Sequence, residues 1–347
     1  MTQDEKYMAR CLYLAKLGIY SVAPNPMVGA VVVHEDHIIG EGYHRLYGEA
    51  HAAPNAIKSV ENQELLPEST LYVNLEPCSH FGKTPPCADL IISKKIKRVV
   101  IGCLDPNPKV SGRGVALLRE AGIDVVVGVL ETESKQLNKR FMFMQEKKRP
   151  FILLKWAQTA DGFIDNSRKD SSSKALRISN DVTCQLTHKM RAENMGIMVG
   201  TKTVLLDNPS LSVRYWNGRN PIRIAVDRNC VIPADSVIKN GEIKTLIFIN
   251  EHKEASQNLE YIKMDESMDS LQFILKELSE RNIHSVLVEG GSELLSSFIR
   301  SGLWDEANVE TSTQTLGNGV KSPVIQEDYL VIDEVIENHM WRHYIKK

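Results

Sequence analysis

One histidine and two cysteines carry the first chemistry legible in this chain. They stand in three short segments, His51-Ala52-Ala53, Glu76-Pro77-Cys78 and Pro85-Pro86-Cys87. Zinc prefers imidazole and thiolate ligands, and three protein ligands with one open position make a catalytic site. His51 falls at an expected helix start, Cys87 at another, and Cys78 just past a strand. A helix N-terminus favours the thiolate form that a metal needs. Zinc held in this way brings the pKa of a bound water toward neutrality. The other cysteines, Cys11, Cys103, Cys184 and Cys230, are scattered and read as buried thiols rather than as a disulfide framework.

A second constellation lies toward the C-terminus. Residues 285–288 have strand character, Glu289-Gly290-Gly291-Ser292 is a tight turn, and a helix is expected over 293–301. Glycines let the backbone approach a phosphate, and a helix N-terminus offers unpaired N–H groups and a positive dipole end. Arg191 and Arg214 are suited to hold a phosphate by charge-assisted hydrogen bonds. Taken singly, the turn also fits an ordinary strand–helix connection and the arginines fit a solvated surface. No G-x-G-x-x-G run follows a first strand, which argues against a Rossmann dehydrogenase.

These residues need a layered α/β framework to bring them together. Apolar spacing predicts a helix over 5–17, strands over 28–33 and 38–42, and a helix opening at His51. A strand follows at 71–75, then a helix from Cys87, a strand at 98–102, a helix at 114–121 and a strand at 123–128. Gln145-Glu146-Lys147-Lys148-Arg149-Pro150 is charged and ends in proline, so the chain is expected to divide into domains 1–147 and 148–347. The alternation then restarts, with strands at 151–155, 197–199, 222–226, 245–249 and 285–288 and helices at 180–193, 271–281 and 293–301.

Composition agrees with two globular α/β domains. The chain has 347 residues, of which 42% are hydrophobic and 25% charged, long enough for two cores. A net charge of −2 gives no broad attraction to nucleic acid or to an anionic membrane. No apolar run approaches the ~20 residues of a membrane helix. The opening Met1-Thr2-Gln3-Asp4-Glu5-Lys6 is polar and does not read as a secretory signal, so a cytoplasmic location is expected. Neither nucleic acid nor membrane is an expected partner, and a homo-oligomer is.

Several ordered blocks together resemble the bifunctional deaminase–reductase family of riboflavin synthesis. Zinc deaminases carry H-x-E followed by P-C-x-x-C. Here eight residues separate Cys78 from Cys87, and this wide spacing is similar to the riboflavin-pathway deaminases. So are Pro24-Asn25-Pro26-Met27-Val28-Gly29-Ala30, Asp105-Pro106-Asn107-Pro108 and Gly112-Arg113-Gly114. In the second half the blocks are Thr159-Ala160-Asp161-Gly162, Lys189-Met190-Arg191-Ala192-Glu193, Val199-Gly200-Thr201-Lys202-Thr203, Leu205-Leu206-Asp207-Asn208-Pro209, Leu211-Ser212-Val213-Arg214 and Val288-Glu289-Gly290-Gly291.

The resemblance implies an N-terminal cytidine-deaminase-like three-layer domain and a C-terminal dihydrofolate-reductase-like domain. It implies hydrolytic deamination of a diaminohydroxyphosphoribosylaminopyrimidine at Zn2+, with His51, Cys78 and Cys87 as ligands. It then implies NADPH reduction of the ribose of 5-amino-6-(5-phosphoribosylamino)uracil to a ribityl chain. Asn25, Lys155, Arg191, Leu211, Arg214 and Glu289 would contact the phosphoribosylated pyrimidines, and His80 to Thr84 would shape the first pocket. Ala157, Arg177, Thr203, Asp207, Gly291, Ser292, Glu293, Leu294 and Leu295 would contact NADPH. Ala53 departs from the family pattern, because the deaminases have there the glutamate that shuttles protons between water, ring nitrogen and leaving amine. Glu49 and Glu76 are nearby carboxylates, but neither occupies that position.

Three other readings follow from the same residues. One is a reductase alone, with the first domain a zinc-bound scaffold, and Ala53 favours it. Another is a base-modifying deaminase acting on nucleic acid, against which stand the near-neutral charge and 6% aromatic content. The third, a non-catalytic zinc protein, leaves the second constellation unexplained.

Overall fold

A computed structural model describes residues 1–79, 86–107, 111–326 and 329–346. The chain divides into two compact units, Met1–Lys148 and Arg149–Lys347. Lys148 ends a helix in a left-handed conformation (φ 55°) immediately before that division. The charged run expected as a linker is therefore partly helical, since Gln145, Glu146 and Lys147 form the last turn of that helix.

The first unit contains α1 (Gln3–Lys16), β1 (Gly29–His34), β2 (His37–Tyr43), α2 (Ala52–Lys58), β3 (Thr70–Leu75), α3 (Cys87–Ser93), β4 (Arg98–Cys103), α4 (Arg113–Glu120), β5 (Asp124–Val127), α5 (Glu131–Leu137) and α6 (Lys139–Lys147). Its sheet has the order β2-β1-β3-β4-β5. The β1 pairings are antiparallel and β3-β4-β5 are parallel. Side chains alternate across a strand, so each strand supplies two layers. Val31, Val33, Tyr72 and Val100 pack on Tyr7, Met8, Cys11 and Leu14 of α1. Ala30, Val32, Val73 and Ile101 face the other way, onto Ala53 and Ile57 of α2, Ile91 of α3 and Leu118 of α4. The result is an α/β/α sandwich. Helix α1 begins with a capping box between Thr2 and Glu5, and Glu35 and Asp36, both at positive φ, make the β1–β2 turn.

The second unit contains β6 (Phe151–Gln158), β7 (Phe163–Asp165), α7 (Asp181–Glu193), β8 (Gly196–Gly200), α8 (Thr201–Asp207), β9 (Ile222–Val226), β10 (Thr245–Ile249), β11 (Leu259–Lys263), α9 (Ser270–Glu280), β12 (Ser285–Val288), α10 (Ser292–Ser301), β13 (Glu306–Thr311), β14 (Val320–Lys321), β15 (Tyr329–Ile336) and β16 (His339–Lys346). Nine strands form one sheet in the order β11-β10-β9-β8-β12-β6-β13-β16-β15. The first seven in that order run parallel and the last two add antiparallel. Both faces are covered: α9 and α10 bury Phe273, Leu278 and Phe298 against one, and α8 buries Val204 against the other. Strands β13, β15 and β16 were absent from the expectation because polar residues interrupt them, as in Glu306-Ala307-Asn308-Val309-Glu310. Among the described residues no helix is long and apolar enough to cross a membrane.

Two candidate active sites

In the first unit, α2, the end of β3 and α3 deliver one ligand each. His51 is the N-cap residue of α2 but makes no side-chain cap hydrogen bond. Its Nδ1 instead lies 3.3 Å from Cys87 Sγ and 3.6 Å from Cys78 Sγ. Cys87 opens α3, and its backbone N–H donates to Cys78 Sγ at 3.3 Å. The three ligand atoms all lie within 4.8 Å of one another. A hydrogen bond from the Cys87 thiol, together with donors from His51 and the Cys87 N–H, outweighs burial and holds Cys78 well below the usual thiol range. The hydrogen bond that Cys87 gives to Cys78, then burial and the Cys78 charge, push the Cys87 thiol upward. Two soft sulfurs and an imidazole converging on one point fit a zinc ion, and a cation there relieves the repulsion between two thiolates.

These ligands sit in a cavity of about 310 Å³ that also touches Asn25, His44, Glu49, Ala53, Glu76 and Asp105. Ala53 is 3% exposed and its methyl joins the core under α2. No proton-bearing group extends from it. Glu76 does not substitute, because its buried carboxylate accepts the backbone N–H of Asp105, Gly112, Gly114 and Val115 at 3.0–3.3 Å. It caps the N-terminus of α4 across the sheet end. Gly114 is required there, since a Cβ would come within 2.2 Å of the Pro77 carbonyl. Glu49 is exposed at the cavity rim. His44, which sequence reasoning missed, is 2% exposed, contacts Asn25 Nδ2 through Nε2 at 3.0 Å and meets the His51 ring edge-on. Its Nδ1 lies 3.1 Å from the Ala50 carbonyl, so Nδ1 carries the proton and Nε2 accepts. Burial keeps this ring below its ordinary pKa. The expected contribution of His80 to Thr84 lies outside the described residues, as does Pro108.

The second unit holds a larger cavity of about 1030 Å³. It reaches every residue expected at the cofactor: Ala157, Arg177, Thr203, Asp207, Gly291, Ser292, Glu293, Leu294 and Leu295. Lys155 and Glu289 line it too. Gly291 caps α10 at φ 61° without a side-chain bond, so the first-turn N–H groups of α10 face the cavity wall. A Cβ on Gly290 would come within 2.9 Å of Val199. This bare backbone at a helix start, with Lys202 and Arg228 also on the wall, suits a phosphate-bearing dinucleotide. Leu295 is 1% exposed and its side chain belongs to the core.

Other expected residues have different surroundings. The Arg191 guanidinium is held by Glu289 in a fork of two hydrogen bonds, 2.7 and 2.6 Å, and also donates to the Ser212 carbonyl. Burial would raise the Glu289 pKa, but the Arg191 charge and hydrogen bonds hold it below the usual carboxylate range. Arg191 therefore orients a carboxylate in the cavity wall. Leu211 is 3% exposed, sits at φ 52° and packs with Val199 and Ile247, leaving only its backbone for a ligand. Arg214 is exposed and bonds to the hydroxyls of Ser210 and Ser212. Its backbone N–H donates to His188 Nδ1 at 2.9 Å. Asp161 of the Thr159–Gly162 block accepts from Thr159 Oγ1 and from the Leu316 and Gly317 N–H groups, stitching two loops.

Arg168 and Glu310 also went unnoticed in the sequence. Arg168 joins Asp165 to Asp207, and so fixes the carboxylate of an expected cofactor contact. In the polar run Asn166-Ser167-Arg168-Lys169-Asp170 it reads as a solvated arginine. Glu310 belongs to a strand whose alternating charge hides its burial.

Two family models match the chain. The RibD C-terminal domain matches residues 150–340, and the cytidine and deoxycytidylate deaminase zinc-binding region matches residues 1–103. The riboflavin biosynthesis protein RibD of Aquifex aeolicus is 40% identical over 325 residues, covering 91% of this chain and 89% of the relative. The Escherichia coli RibD is 35% identical over 336 residues, covering 92% and 90%. A solved deaminase/reductase of Thermotoga maritima superposes with a TM-score of 0.89 at 38% identity over 99% of both chains. An Acinetobacter baumannii RibD structure does so with 0.89 at 30% identity, again over 99% of both.

Proposed function

This chain belongs to the RibD family of bifunctional riboflavin-biosynthesis enzymes, and from that premise we propose how its two sites divide the work. We assign residues 1–147 to the Zn2+-dependent deaminase domain and residues 148–347 to the NADPH-dependent reductase domain, a division supported by the family matches over 1–103 and 150–340. The substrate of the first is a diaminohydroxyphosphoribosylaminopyrimidine, and of the second its deaminated product. The observation that carries this reading is the meeting of His51, Cys78 and Cys87, from three separate elements, at the wall of one cavity.

In the deaminase cavity His51, Cys78 and Cys87 would hold zinc, whose chemistry there would be Lewis acidity toward a water. Asn25 and His44 form a polar wall where a pyrimidine edge can be read. What is missing is a group to carry protons. General acid–base catalysis is worth about 10²–10⁴-fold, so this polypeptide binds zinc yet deaminates slowly. In the reductase cavity a bound NADPH would provide the hydride chemistry, and the protein provides its seat. The α10 N-terminus and the turn before it cradle the cofactor, with Ala157, Thr203 and Asp207 on the same wall. Lys155 orients the substrate near the reacting carbon, and Glu289, fixed by Arg191, faces the same cavity. Arg214, exposed beside Ser210 and Ser212, is assigned to the ribose phosphate by the family resemblance.

The test offers each substrate separately to the purified chain while metal content is measured. One zinc per chain, brisk NADPH oxidation with the deaminated substrate and slow turnover of its precursor are expected. Fast deamination refutes the slow-deaminase assignment, and idle NADPH refutes the reductase assignment. Ala53 also favours a second reading, in which the first unit is only a metal-bound scaffold; deaminase turnover indistinguishable from the uncatalysed rate selects it. A cytoplasmic location fits both. A second copy of the chain is the proposed partner. Strand β15 ends the sheet order, and Leu330 and Ile332 on one of its faces are 51% and 50% exposed, an edge and an apolar face that a second copy would cover. Light scattering that gives a monomer mass removes that assignment.

A further inference from the structure

We infer that Glu310, braced by His339, is a positioning residue that aims the Lys155 ammonium into the reductase cavity. This rests on Lys155 as the residue that orients the substrate.

Sheet register brings the two groups together. Strand β13 runs parallel to β6, with Asn308 opposite Lys155 and Glu310 opposite Ala157. Alternation places Lys155, Ala157, Asn308 and Glu310 on one face. The intervening Leu154, Trp156, Ala307 and Val309 belong to the core on the other. Glu310 is fully buried, at 0% exposure, and Lys155 is 6% exposed. Only Lys155 reaches the cavity wall, so Glu310 acts through it.

An isolated carboxylate at such a position is costly. Here three elements satisfy it. Ser179 Oγ, just before α7, donates to Oε2 at 2.6 Å. Thr183 Oγ1 of α7 donates to Oε1 at 2.6 Å, and His339 Nδ1 of β16 lies 2.7 Å from the same oxygen. Burial pushes the Glu310 pKa up, but the Lys155 charge and these hydrogen bonds hold it below the usual carboxylate range. The carboxylate is ionised and its direction is fixed from three sides.

Lys155 Nζ stands 3.6 Å from Glu310 Oε2 and 5.8 Å from the centre of the Trp341 ring. At 3.6 Å the pair attracts by charge but is too long for a hydrogen bond. The ammonium is therefore steered without its N–H donors being taken up by the carboxylate, and they remain available to a substrate oxygen. A pair serving only stability would be expected to close to hydrogen-bond length. The brace also gives the C-terminal hairpin, remote in sequence, a part in the reaction.

The test is a double-mutant cycle in the full chain, with the deaminated phosphoribosylaminopyrimidine and NADPH as substrates. Glu310→Gln keeps shape and removes charge, while Lys155→Met removes the ammonium. Expected is a fall in kcat of about tenfold or more for Glu310→Gln with NADPH affinity, read by fluorescence, unchanged. The double variant is expected to be no slower than Lys155→Met alone, because both changes remove one function. Glu310→Asp restores part of the loss. If Glu310→Gln turns over within twofold of the unaltered chain, or the two losses multiply, the inference falls. Should Glu310→Gln fail to bind NADPH, His339→Gln decides, since it weakens the brace and keeps the ion pair: a reduced kcat at unchanged NADPH affinity supports the inference, and an unchanged kcat overturns it. An unaltered chain that leaves NADPH unoxidised overturns the reductase assignment and this inference together, and a normal Lys155→Met overturns the role of Lys155 and the inference; loss in Lys155→Met with normal turnover in Glu310→Gln overturns the inference alone.

Discussion

At the scale of single residues, the difference between a metal site and a deaminase comes down to one side chain. His51, Cys78 and Cys87 bring their donors within 4.8 Å of one another without help from residue 53. Ala53 ends in a methyl group packed against the α2 core, so ligation and proton transfer are separable here. Restoring a carboxylate by Ala53→Glu is expected to raise deamination by about 10²–10⁴-fold. Zinc content, read by metal analysis, should not change. A rise of less than threefold would mean that protons already travel by another route. Glu76, attractive by its place in the sequence, offers no such route because four backbone N–H groups occupy its oxygens. In the reductase cavity the same lesson applies to Arg191, whose fork is closed on Glu289. Its charge fixes a neighbour, so its guanidinium is already engaged within the protein.

At the scale of elements, helix starts organise both sites. Helices α2 and α3 open at His51 and Cys87, which places a ligand at each N-terminus. Helix α10 opens after a glycine turn and presents unpaired N–H groups to the cofactor cavity. Helix α4 differs, because its N-terminus is capped by Glu76 from the end of β3, two residues before Cys78. Removing that carboxylate leaves buried N–H groups without an acceptor. Glu76→Ala is expected to destabilise the first unit by about 3 kcal/mol. Calorimetry of the full chain should show one transition lowered, with weaker zinc retention because Cys78 loses its anchored neighbour. Unaltered melting would show that water replaces the cap at no cost.

At the scale of the molecule, buried histidines set what acid does to the second unit. In the second unit burial holds His188 and His284 down to about 4, against an ordinary 6.5, with the Arg191 and Arg214 charges adding to the effect at His188. The unfolded chain takes up these protons near 6.5 and the folded unit resists until about 4. Stability is therefore fully present above that upper value and falls as pH drops through the interval. Glu289 and Glu310, held below their ordinary 4.5, withdraw their contribution only at lower pH still. Denaturant titrations of the full chain between pH 7 and about 4.5 should show this unit weakening. His188→Gln should flatten the slope, and an unchanged slope would remove His188 as its source.

The sequence by itself determined the metal donors, the missing carboxylate at Ala53, the glycine turn before α10 and the alternation of strands and helices. Those features are local, since a strand's period, a cap or a ligand type is set by a few adjacent residues. Only the tertiary structure decided which charges meet. Arg191 finds Glu289 across 98 residues, and Thr183 finds Glu310 across 127. Leu211, which the resemblance places at the substrate, has its side chain in the core. Glu310 falls in a segment where no element was expected and is buried beside Lys155. Spacing carries no record of such pairings, because they follow from strand order and register, which close long loops only when a common core is buried.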